Sequence, residues 1–210
     1  MARYVTAQEI RDWLKVSDAD VSEGKLTDSF LNSLIDEKMG YVDRLTNMRW
    51  NGETGTDEDY YSLTSFRGGW ISYIGFPIYL KHTHIKQIQS LKVWNGSDYV
   101  EWIGSKTEGR DGDYWVDYIK GVLYINHRWL IRGTGKEVYV KYTYGRDDLP
   151  YEVKELTKLL VIRELLLRER MQFAVPEGAM AMRLSEMYDR IDKRIKELES
   201  YLRTLKVVRT

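Results

Sequence analysis

The stretch from Glu137 to Arg170 limits the possible folds of this chain more than any other. Val138, Val140 and Tyr142 alternate with Tyr139, Lys141 and Thr143, the period of two expected of a β-strand with unlike faces. Gly145 ends the alternation, and Arg146-Asp147-Asp148-Leu149 turns the chain. Pro150 stands where a first helical residue would, its missing N–H costing nothing there. The run that follows, Val153 to Leu167, is apolar on nearly every side. Such a helix requires cover from several directions, from its own fold or from neighbouring subunits. The junction separates a β-rich middle from a helical end.

Upstream, Thr6-Ala7-Gln8-Glu9 has the form of a capping box that opens a short helix through Ile10, Trp13 and Leu14. Val16 to Lys25 reads as a polar loop. A second helix is predicted from Thr27 or Asp28 to about Met48, with Leu31, Leu34, Ile35, Val42 and Leu45 on one face. The acidic segment Glu53 to Asp59 reads as a solvated loop. From Tyr60 to Tyr144, short aromatic and β-branched runs between turn residues predict antiparallel strands. These fall at 61–65, 71–74, 78–80, 85–94, 99–103, 114–119, 122–126 and 137–144, with Asn95-Gly96 as a hairpin turn.

Beyond the apolar helix, Pro176-Glu177-Gly178 interrupts, and a last helix runs to about Leu205. Met180, Leu184, Met187, Ile191, Leu198, Leu202 and Leu205 step along it by threes and fours, a heptad-like stripe. Two uses of that stripe stay open. It can pack on its own domain, or Leu184, Met187, Ile191, Leu198 and Leu202 can form an intersubunit coiled-coil contact. The fold class is therefore α+β. N- and C-terminal helices (1–59 and 146–210) pack as a bundle that carries an inserted antiparallel β domain (60–145).

The 210 residues can bury a sizeable core, and 43% hydrophobic with 30% charged residues describes a globular chain. Formal net charge is zero, so no global basic field draws the protein to nucleic acid. The charge is uneven: residues 1–60 hold 13 acidic and 7 basic side chains, while both later parts lean basic. The absence of cysteine excludes disulfides, thiolate catalysis and cysteine-ligated metal. Met1-Ala-Arg-Tyr-Val lacks the apolar core of a signal peptide, and no run approaches the roughly 18 apolar residues of a membrane span. A cytosolic origin is the expectation.

No motif converges on a catalytic site. His82-Thr83-His84 has a spacing that metals use, but no third ligand stands nearby, and His127 has no nucleophile partner. Gly133-Thr134-Gly135-Lys136 lacks the full phosphate-loop pattern, because Glu137 replaces the hydroxyl and a strand follows. The acidic segments 53–59 and 108–113 lack calcium-loop spacing, and Asp111 with Asp113 makes only a remote case for a hydrolase. No catalytic residue, cofactor or metal ligand is assigned. The 7 Trp and 16 Tyr are most economically core and interface residues. Their alternative use is in a β-rich module that binds glycan or single-stranded nucleic acid through exposed aromatics.

The order of parts resembles the head–tail connector, or adaptor, proteins of tailed bacteriophages and related viruses. The resemblance runs over most of residues 3–173. It rests on the capped helix pair beginning Thr6-Ala7-Gln8-Glu9, and on Gly75-Phe76-Pro77-Ile78-Tyr79-Leu80 before Ile85-Lys86-Gln87-Ile88. It rests also on the hairpin from Tyr118 through Gly121 to Tyr124, and on Val138 to Gly145 leading through Leu149-Pro150 to a long apolar helix. The β section is long for that family, and so is the heptad-like last helix. The resemblance implies a non-enzymatic virion structural protein made in the host cytoplasm and placed in the neck. It implies a homo-oligomeric ring, commonly a dodecamer, that contacts the portal above and a tail or head-closure protein below. DNA passes such a ring without specific binding, and no membrane is involved. Under this reading Asp36, Glu37 and Asp43 are the candidate channel-facing residues, and Leu184, Met187, Ile191, Leu198 and Leu202 the candidate subunit or portal interface.

Overall fold

The computed structural model describes residues 3–15, 26–62, 75–126, 135–167 and 180–207, and in the last helix the side chains of 186–203. Its elements are α1 (Ala7–Leu14), α2 (Asp28–Thr46), β1 (Gly55–Tyr61), β2 (Phe76–Tyr79), β3 (Ile85–Trp94) and β4 (Tyr99–Glu101). There follow β5 (Tyr114–Asp117), β6 (Val122–Ile125), β7 (Val138–Tyr144), α3 (Tyr151–Leu167) and α4 (Met180–Val207). The fold is α+β. The chain divides into a helical unit, Met1–Asn51 with Asp147–Thr210, and a β unit, Gly52–Arg146. The expected polar loop at 16–25, the strand at 71–74, His127, Gly133 and the interruption at Pro176 lie outside the described residues.

In the helical unit the expected capping box is present. Thr6 Oγ1 accepts from the Glu9 amide at 3.2 Å, and the Glu9 carboxylate accepts from the Thr6 amide at 2.9 Å. Thr27 caps α2 through the Phe30 amide at 3.3 Å. Burial works against ionisation of Glu9, but Lys154 and Thr6 outweigh it and hold its carboxyl below the ordinary value. α3 begins at Tyr151, one residue later than expected, and the Pro150 carbonyl accepts from the Lys154 amide at 3.2 Å.

Val153, Leu156, Thr157, Leu159, Leu160, Val161, Ile162 and Leu165 of α3 are all buried, a set that leaves the helix almost no wet side. Cover comes from within the unit. α1 supplies Ala7 and Ile10; α2 supplies Leu31, Leu34, Ile35, Met39 and Val42; α4 supplies Ile191, Ile195, Leu198 and Leu202. A polar clasp fastens the segment before α1. The Tyr4 hydroxyl donates to Asp43 at 2.6 Å and accepts from the Trp50 amide at 3.1 Å, and Arg49 pairs with the same Asp43.

In the β unit, a four-stranded antiparallel sheet of order β1-β7-β3-β4 and a three-stranded one of order β2-β6-β5 contribute to one core. Ile88, Leu91, Val138, Val140 and Tyr142 come from the first sheet, and Ile78, Val116, Leu123 and Ile125 from the second. The acidic segment expected as a loop is instead largely edge strand. Gly55 to Tyr61 pair residue by residue with Tyr144 to Val138. Seven-residue β7 offers a free flank, and charges on an edge strand discourage pairing with another chain. Strand β3 turns inward at Ile85, Ile88, Leu91 and Val93, because register shifts between Ile85 and Gln87 and between Ile88 and Ser90 lengthen the inward step. Gly121 takes φ +68°, and a Cβ there would meet the carbonyl oxygen of His82.

Three outcomes follow from this packing. Leu160→Ala should cost the helical unit about 2–5 kcal/mol in urea unfolding followed by helical circular dichroism, and exposed Leu167→Ala under about 0.5 kcal/mol. Gly121→Ala should destabilise the β unit by roughly 1–3 kcal/mol in the same assay followed by tryptophan fluorescence. Tyr4→Phe should cost about 1–3 kcal/mol, since Asp43 and the Trp50 amide each lose a partner. Burial, and then the Asp43 carboxylate, raise the Tyr4 pKa well above its ordinary 10.0. A raised folded value means that the contribution of Tyr4 is whole below pH 10 and is lost as the pH climbs toward that value. The gap between wild type and Tyr4→Phe should therefore stay constant near neutrality and narrow above about pH 10.

Candidate functional site

The alternation in β7 that buries Val138, Val140 and Tyr142 turns Tyr139, Lys141 and Thr143 to the other face of the four-stranded sheet. Register then builds a surface across four strands. Tyr60 and Lys92 stand opposite Tyr139 on either side, Glu101 lies opposite Lys92, and Tyr99 opposite Trp94. The rings touch: Tyr60 to Tyr139 at 5.0 Å, Tyr60 to Tyr99 at 5.7 Å and Trp94 to Tyr99 at 5.2 Å between centroids. Such pairs contribute about 0.5–1.5 kcal/mol each beyond their burial. Lys92 Nζ lies 5.6 Å from the Tyr139 ring centroid and Lys136 Nζ 5.9 Å from that of Tyr60. Tyr60 remains 47% exposed and Tyr99 38%, which leaves a large part of the cluster at the surface.

Polar groups brace the same face. The Tyr99 hydroxyl donates to the Lys136 carbonyl, and the Tyr139 hydroxyl donates to Glu58 at 2.9 Å. Glu58 is held below its ordinary pKa by that hydroxyl first and then by Lys141, 3.4 Å away. Glu101 accepts from the Ser90 hydroxyl, from the Leu91 amide at 2.9 Å and from the Ile103 amide at 3.1 Å. Burial opposes its ionisation, but these three donors and Lys92 prevail and lower its pKa. The aromatic surplus is legible in the sequence but this surface is not, because the face on which a ring lands depends on strand register. The alternation at 138–144 was the available signal for it.

The histidine pair does not share an extended face. His82 is buried, its Nδ1 3.0 Å from the Tyr142 hydroxyl and its ring stacked on Tyr144 at 3.6 Å. The Tyr142 hydroxyl donates to Asp57 at 3.1 Å, and His82 Nδ1 lies 3.5 Å from the same carboxylate. His84 adopts a left-handed backbone, φ 53°, and bonds Thr83. Among the described residues no group of three or more His, Asp or Glu side chains is placed to hold a metal ion. In the segment 108–113, Asp113 caps its own turn through the Thr107 amide, and Glu108 accepts from the Tyr118 hydroxyl. No helix among the described residues is long and apolar enough to cross a membrane.

The candidate interface stripe on α4 faces inward. Ile191, Leu198 and Leu202 are buried in the helical core and Met187 packs against it, while the side chain of Leu184 lies outside the described set. The first of the two uses left open accounts for these positions, since α3 needs an apolar partner on that side. Of the candidate channel residues, Asp43 is a correction: it is buried beneath Tyr4 and Arg49 and presents no charge at the surface. Asp36 is gripped by two nitrogens of Arg3, at 2.8 and 3.0 Å, and Glu37 pairs with Lys38 at 2.8 Å.

No protein-family model and no curated protein matches the chain. Among solved structures it is similar to a chain from the neck of an empty gene transfer agent particle computed with C6 symmetry. That match has 16% identity over 88% of this chain and 89% of the other, with a TM-score of 0.47. It is similar also to a chain of the native gene transfer agent virion, at 14% identity over 88% and 89%, with a TM-score of 0.48. At these values the likeness assigns no role to the chain or to any of its residues.

Proposed function

We propose that the chain is a head–tail connector subunit, a structural protein of a virion neck that assembles as a ring beneath the portal and offers a platform to the next tail component. The observation that carries the reading is the order of parts. A capped helix pair, an antiparallel β insertion and the β7–Gly145–Pro150–α3 junction precede a long final helix. That is the order in which the sequence resembles the connector family. A ring subunit needs two unlike faces, so that a head-to-tail contact closes by rotation. The exposed tyrosine face of the β unit and the charged outer surface of the helical unit differ in this way.

A ring that lets DNA pass should not attract phosphates, because each phosphate neutralised by a cation adds salt-sensitive affinity. Asp36 and Glu37 each sit against a cation in α2 or beside it, which keeps that surface close to neutral. We assign these two residues, without Asp43, to the channel side. The twelvefold count and the contacts with portal and head-closure proteins belong to the same proposal.

Negative-stain microscopy at high protein concentration, alone and with a cognate portal protein, is the direct test. Rings in either sample are the expected outcome. Persistent monomers in the presence of portal would overturn the reading. Tryptophan fluorescence quenched by an oligosaccharide or a single-stranded oligonucleotide would favour a binding module instead.

A further inference from the structure

The outer face of the four-stranded sheet holds two exposed cations whose charge is only partly answered: Glu101, opposite Lys92, and Asp59, toward Lys136, feel it at longer range than an ion pair. Lys92 and Lys136 are exposed, lie over the rings of Tyr139 and Tyr60, and form no ion pair among the described residues. The carboxylates that feel their charge are held at close range by other groups. Glu101 is bound to Ser90 and to two backbone amides, and Asp59 to Lys81 at 2.8 Å. The face therefore combines an exposed aromatic floor with two ammonium groups held in no close ion pair. Groups of that kind recognise an anion attached to something apolar.

We propose that this face docks an acidic peptide segment of another protein, its carboxylates against Lys92 and Lys136 and its apolar side chains over Tyr60, Tyr99 and Tyr139. A nucleic acid strand fits less well. Bases stack on open ring faces, whereas these rings meet one another at 53° and 64°, and two of the ring faces are already capped by lysine. The hydroxyls of Tyr99 and Tyr139 are also committed, and exposed Glu58 would repel a run of phosphates. A peptide can place one or two carboxylates where the lysines are and keep the rest of its length uncharged. This docking needs only a single chain, so it stands or falls apart from ring assembly.

The test is fluorescence anisotropy with the full-length protein and a labelled peptide of about a dozen residues, a pair of glutamates set among leucine and glycine. A lysine counterpart of the peptide and an oligothymidylate of similar length serve as comparison probes. Saturable binding of the glutamate peptide is expected, weakened by salt and absent for the lysine peptide. The double variant Lys92→Glu, Lys136→Glu should weaken it by roughly a hundredfold and Tyr60→Ala by about tenfold. Tyr60→Ala gives up two ring contacts and Lys92→Glu sets a like charge opposite Glu101, so both melts should fall somewhat, and circular dichroism at the assay temperature should show every variant folded. Lys106→Glu, a substitution in the loop after β4, should leave binding unchanged. Equal binding by wild type and the double variant, or no binding by wild type, would overturn the proposal. Tight binding of the oligothymidylate that the double variant abolishes would also overturn it, in favour of nucleic acid.

Discussion

Burial of α3 on nearly all of its sides is the constraint on which the helical unit rests. Leu156, Val161 and Ile162 are fully buried and point in different directions around the helix axis, so no single partner can cover them. Three helices converge on it: α1 and α2 from the beginning of the chain and α4 from its end. That convergence requires the two ends of the sequence to meet and the middle to be set aside. The chain accordingly leaves the helical unit at Asn51 and returns at Asp147, where the Asn51 amide bonds the Asp148 carbonyl. An insertion whose ends lie this close can form its own compact unit without disturbing the host.

The β unit follows a second constraint, the central place of β7. It pairs with β1 on one side and β3 on the other, so its inward residues set the core and its outward residues set the surface. Tyr142 illustrates the inward role. Fully buried, it still carries a hydroxyl, and the surroundings answer with Asp57 and His82. Tyr139 illustrates the outward role, with Tyr60 and Lys92 beside it and Glu58 on its hydroxyl. One strand thus accounts for both the stability of the unit and its most distinctive surface.

The proposed connector role and the proposed docking face on the β unit rest on separate features of the fold. The first depends on the order of elements, the second on which side chains a particular register gathers. In both, function is carried by shape, charge balance and exposed aromatic area. A protein that works by contact has few residues whose identity a short motif can reveal, because many side chains satisfy the same surface.

Local signals in the sequence decided a great deal. The Thr6–Glu9 cap, the start of α2 at Thr27, the hairpin at Asn95-Gly96 and the alternation in β7 depend on bonds between residues a few positions apart. Each was legible for that reason. The α+β class and the need of α3 for cover were legible too, since composition and periodicity set them. Tertiary structure decided what lies across the chain. It made the acidic segment at 55–59 an edge strand, because β7 had a flank to fill. It turned the α4 stripe into the cover for α3, and placed Asp43 beneath Tyr4, 39 positions away in the chain. It also gathered Tyr60, Lys92, Tyr99 and Tyr139 onto one face. The physical reason is common to all of these: a side chain's periodicity tells that it must be buried or exposed, while only the packed chain supplies the partner.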